Sequence, residues 1–171
     1  MGRSLWFLGA LATAGVAVTA GLGYGLHSPA DPGMTRHVLA ALASILLLML
    51  SHGWILLYLL GTGKVMRDAV REGELDPALL AESRRLRRVC YPMILLAAAL
   101  VLATFLAGGV VAAKGAPPWV HHVLFWAAIA VQAGALWIEW RGLATNERLL
   151  VEVDRGLIAA SAAPAATSFG V

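Results

Sequence analysis

The stretch from Thr35 to Gly63, TRHVLAALASILLLMLSHGWILLYLLGTG, limits what this chain can become more than any other. It is nearly all apolar and longer than the roughly 20 residues that span the hydrocarbon core of a bilayer. It also carries His37, Ser44, Ser51 and His52. Lipid tails accept the leucines on any face, but they do not readily accept an imidazole such as His52. A helix of this kind therefore needs protein neighbours within the membrane.

The rest of the chain supplies them. Of the 171 residues 60% are hydrophobic and 13% charged, with a mean hydropathy of +0.77. A soluble domain of this length could hardly hide so much apolar surface, and the apolar runs alternate with short polar links. The expectation is an all-α integral membrane protein, a bundle of four transmembrane helices at about residues 4–26, 35–63, 91–113 and 119–140. Residues 1–145 would form this domain, and 146–171 an amphipathic segment with an Ala/Ser/Pro-rich tail. Arg3 and the apolar run after it are long for a signal peptide and read as a retained span. The formal net charge of +3 does not point to nucleic acid, because the basic residues cluster between spans.

Small residues recur every four positions in the first span (Thr13, Ala17, Gly21, Gly25) and in the third (Ala99, Ala103, Ala107). Such ridges let backbones approach closely, so the two are expected to meet each other or a partner subunit. Thr35 reads as the N-cap of the second span, and Gly73 as the C-cap of its polar extension. Asp76 and Pro77 read as N-cap and first residue of the next helix, with Pro92 as a kink site. Spans two and three would thus be joined by a helical hairpin projecting into the cytoplasm. That hairpin carries Lys64, Arg67, Arg71, Arg84, Arg85, Arg87 and Arg88, against Arg36 and Lys114 in the other two links. The positive-inside rule puts both termini on the cytoplasmic side of a cell inner membrane. The arginine run offers anionic lipid or an acidic partner a landing site.

With that topology His37 and His121 lie about two residues inside the outer ends of their helices, His27 closes the first span, and His122 adjoins His121. Two imidazoles from facing helices are what a b-type haem needs as axial ligands; three or four would suit zinc or copper. The alternative is that these histidines hydrogen-bond water and lipid phosphate at the headgroup level. Helical phase adds a second cluster. His37, Ser44 and Ser51 share a face of the second span, and His121, Ala128, Gln132, Ala135, Glu139 and Asn146 form a stripe on the fourth. At ~1.5 Å per residue, His52 and Glu139 fall about 25 and 30 Å below the outer surface. A His52–Glu139 contact is expected there, as a proton-relay site with Tyr58 below it or as glue between helices.

No catalytic set is recognisable: CxxCH, HExxH and a carboxylate-rich metal pattern are all missing. The GTGK at Gly61–Lys64 lacks the spacing, the preceding strand and the following Ser or Thr of a phosphate loop. Three functions remain in order of support. The first is a small accessory or anchoring subunit of a respiratory or electron-transfer complex. The second is a haem- or metal-binding electron carrier. The third is a transporter or channel component, which four unbroken spans serve poorly.

Overall fold

The computed structural model describes residues 2–26, 31–72 and 75–162. His27, Gly73 and the tail from residue 163 lie outside them. Four helices account for nearly all of the described residues: α1 (Gly2–Tyr24), α2 (Met34–Arg71), α3 (Pro77–Ala112) and α4 (Pro118–Ala162). Each is long and apolar enough to cross a membrane. The distribution of apolar side chains is the reverse of a water-soluble bundle. In the most apolar window of each helix at most 28% of residues are buried by the protein itself. Phe7, Leu39, Leu46, Leu57, Leu106 and Trp126 all point outwards. Water would not tolerate so continuous an apolar exterior, and lipid requires one. The chain is an all-α, four-span membrane helix bundle.

Consecutive helices are neighbours and α1 closes the ring against α4; α2 and α4 also touch across the middle, whereas α1 and α3 do not. The two ridges of small residues therefore do not meet. Ala17, Gly21, Gly25 and Ala99 are exposed. The inward face of α1 is instead Gly9, Ala12, Gly15, Thr19 and Gly23. There a Cβ on Gly15 would stand 2.7 Å from Ser44 Oγ. Small residues suit lipid and protein alike, so four-residue spacing alone did not reveal the packed face.

Helix starts and stops follow local chemistry. Asp76 accepts a 2.8 Å hydrogen bond from the Ala78 amide, with Pro77 in the first turn. Asp76→Ala should cost about 1 kcal/mol, read by chemical denaturation. The N-cap of α2 is Gly33, not Thr35; Asp31 Oδ1 takes the Gly33 amide at 2.8 Å, so the chain turns earlier. α3 passes through Pro92 without interruption. It ends in a Schellman turn, Gly115 donating to Val110 and Lys114 to Val111, both at 2.9 Å. Lys114 occupies the left-handed position at φ 60°.

The core is layered along the bundle axis. Ala12, Ile45, Leu48, Val101 and Ala128 fill the end near His37 and His121, hereafter the histidine end. Ile55, Leu59, Cys90, Ile94 and Leu143 form a second layer. Met66, Leu80, Leu149 and Val153 form a third, at the arginine end, drawn from α2, α3 and α4 alone. At ~1.5 Å per residue the 45 residues of α4 far exceed a bilayer. α4 runs unbroken through Asn146, so the amphipathic segment is its continuation, packed on α2 and α3. Leu149→Ala should lower stability by about 2–5 kcal/mol. In limited proteolysis the arginine end should then open before the rest.

Candidate functional site

Between the first and second apolar layers lies a buried polar chain whose hydrogen-bond directions follow from one anchor. Thr13 Oγ1 donates to the Gly9 carbonyl at 2.8 Å, which uses its only proton. Thr13 Oγ1 must then accept from Gln132 Nε2, 3.2 Å away. That turns Gln132 Oε1 towards His52 Nε2, also at 3.2 Å. A carbonyl oxygen only accepts, so His52 Nε2 carries a hydrogen. The other ring nitrogen, Nδ1, lies 2.7 Å from Glu139 Oε1. The approach is out of line for a hydrogen bond, and neither Glu139 oxygen has a hydrogen-bond partner. His52, Gln132 and Glu139 are each no more than 2% exposed. Gly9 roofs the carboxylate, since a Cβ there would lie 3.0 Å from Ser51 Oγ and 3.8 Å from Glu139 Oε2. The sequence-derived stripe thus faces inward at Ala128, Gln132, Ala135, Glu139 and Asn146. Tyr58 belongs to a separate layer beside Asn146, whose amide is 3.0 Å from the Thr62 hydroxyl.

The histidine end holds a cavity of about 960 Å³, lined from all four helices. Its floor includes Ser44, Ile45, Val101 and Ala128, and its walls include His37, His121 and His122. The two half-buried histidines are set in the same way. His37 Nδ1 on α2 lies 2.9 Å from the Thr19 carbonyl of α1, and His121 Nδ1 on α4 lies 2.9 Å from the Thr104 carbonyl of α3. One turn further along, Gly23 and Gly108 make room for the rings. A Cβ would come within 2.7 Å of His37 Cε1 and 3.1 Å of His121 Cε1. The hairpins α1–α2 and α3–α4 therefore repeat one construction, Thr-x-x-x-Gly facing a histidine 17 or 18 residues after the threonine.

Because a carbonyl only accepts, each neutral ring carries its hydrogen on Nδ1 and keeps a lone pair on Nε2, for which the described residues provide no partner. A metal-ligating histidine is commonly held in this way, with the second nitrogen on a backbone acceptor. Two nitrogens suffice for a haem, and a cavity of this size is at the upper end of ligand pockets, about 300–1,000 Å³. A zinc or copper site made of three or four imidazoles is a different matter. Among the described residues no three His, Cys, Asp or Glu side chains come together as a metal site. His122 is exposed and stands against Tyr24, ring centres 5.7 Å apart.

Sequence reasoning passed over Gly9, Thr19, Gly23, Thr104 and Gly108, and placed Thr13 only in a packing ridge. The doubled Thr-x-x-x-Gly spacing before each histidine was the available signal. What the fold and its polar layers define is a multi-pass membrane bundle with an apolar cavity at one end and a buried ionisable pair beneath it. No protein-family model matches the chain, and neither a curated protein nor a solved structure matches it significantly.

Proposed function

We propose that this chain is a b-type haem protein of the membrane that carries electrons, with His37 and His121 as the axial ligands. The observation that carries the reading is the doubled construction around one cavity. His37 and His121, each with Nδ1 held by a backbone carbonyl, line a space bounded mainly by aliphatic and aromatic side chains. When bound, the haem supplies one-electron redox chemistry. The protein's part is to fix both rings, exclude water and set a low-dielectric environment. Gly23 and Gly108 serve the first task. Gly23→Val or Gly108→Val should push the facing ring off its carbonyl and leave the purified protein with less than half the haem of wild type.

The reading is tested by the visible spectrum of the protein purified from a membrane supplied with haem. The reduced-minus-oxidised difference should show a b-type α band. Colourless protein of native fold would refute it.

A second reading, an accessory or anchoring subunit of a respiratory or electron-transfer complex, draws on the exterior. A Cβ added at Gly21, Gly53, Gly61 or Gly109 would meet nothing within 4 Å, so helix backbone is accessible there to a partner's helix. The two readings are compatible, since a small haem subunit docks where its electrons go. Orientation is inferred from charge. The arginine end would lie in the cytoplasm, with both termini and the hairpin, beneath a cell inner membrane. Lipid headgroups would meet the arginine run there, and the cavity would open to the opposite side.

A further inference from the structure

We propose that His52 and Glu139 form a proton-binding site inside the membrane, loaded with one proton and reached through Glu139 Oε2. Gln132 and Thr13 already fix a hydrogen on His52 Nε2. If His52 were neutral and Glu139 ionised, Nδ1 and a carboxylate oxygen, both acceptors, would stand 2.7 Å apart with no hydrogen between them. Two acceptors at that distance repel, and here no water-like dielectric weakens the repulsion. A proton on either partner removes the conflict. It gives an imidazolium beside a carboxylate, or a neutral ring beside a carboxylic acid. The balance is the same in both forms: neutral imidazole plus carboxylate plus one proton, with net charge zero. Zero net charge is also what a buried site between apolar layers requires.

No other described group takes over this role. On the α1 side a Cβ at Gly9 would meet Ser51 of α2 and Glu139 Oε2, and Thr13 holds Gln132. From α3 the titratable group that senses Glu139 is Cys90, and α4 contributes Gln132. No arginine or lysine is paired with Glu139 among the described residues. The Nε2 side of the ring is closed by the donor chain ending on Gly9, so exchange must occur at the carboxyl. Glu139 Oε2 is buried without a hydrogen-bond partner, on the side of Gly9 and Ser51. The site does not depend on a bound haem and is present in the apoprotein.

The test uses full-length protein in lipid nanodiscs with ¹⁵N-labelled histidine, without added haem. At neutral pH the result expected is either a His52 ring protonated on both nitrogens or a carboxylic-acid carbonyl band in the infrared. His52 is assigned by its loss in His52→Gln, and the carboxyl by its loss in Glu139→Gln. The Glu139→Gln ring should show one protonated nitrogen only. Transfer to deuterium oxide should shift the carbonyl band or exchange the Nδ1 hydrogen within hours. A wild-type ring with one protonated nitrogen and no acid band sensitive to Glu139→Gln would overturn the loaded site. Absence of exchange would overturn its access through the carboxyl. Both measurements are made on wild-type protein, so a variant that failed to fold would not block the decision.

Discussion

His37→Ala and His121→Ala should each abolish b-type haem binding, with at least a tenfold loss of the absorbance that co-purifies with the protein, whereas His122→Ala should retain it. The difference follows from how the rings are held. His37 and His121 each have Nδ1 at 2.9 Å from a helix carbonyl and Nε2 directed by that bond, while His122 is exposed against Tyr24. A haem held by His37 and His121 would, with either ring removed, keep one imidazole and the apolar cavity wall to hold it. Removing His122 leaves both ligands in place. Loss confined to His122→Ala would contradict the pairing of the two hairpins. The variants should otherwise fold, because a ring at the cavity wall is not part of the layers built on Leu48, Ile55 and Leu149.

The second large effect concerns stability. His52→Ala should destabilise the bundle by about 3–5 kcal/mol, because it breaks a buried pair and leaves the Glu139 carboxyl without the one side chain it contacts as an ion pair. Glu139→Gln should cost much less, since a neutral ring can still donate from Nε2 to Gln132 and no charge is stranded. Replacing both, as in His52→Leu with Glu139→Met, should recover most of the loss, the usual result when a buried ion pair gives way to apolar residues of similar size. Gln132→Ala should fall between these, as it removes the acceptor that fixes the ring but strands no charge. Reversible unfolding in mixed micelles, followed by circular dichroism, gives the four values. Equal stability of His52→Ala and Glu139→Gln would show that the pair carries no charge-dependent energy.

What could be read from the sequence was what lipid forbids. Gln132 and Glu139 are costly in hydrocarbon, so helical periodicity alone turned their stripe inward. Counting residues from the helix ends brought Glu139 level with His52, and the two are in contact. The carbonyl acceptors at Thr19 and Thr104 were not legible in that way. Every helical residue has a carbonyl, and one that accepts an additional bond leaves no mark in the composition. The two ridges of small residues do not meet each other for a related reason: Ala17 and Gly21 are as comfortable against lipid or a partner as against this chain's own helices. The continuation of α4 past Arg141 was not legible, because a fall in hydropathy ends an apolar span and not the helix that carries it.

Two similarly built hairpins of one chain bring one histidine each to a single cavity, and haem stoichiometry tests the consequence most directly. Protein purified from haem-replete membranes, quantified by amino-acid analysis and by its pyridine haemochrome, should contain one b-type haem per chain, falling to zero in His37→Ala and in His121→Ala. A well-folded wild-type protein with no haem, or haem that survives in the double variant, would contradict the account.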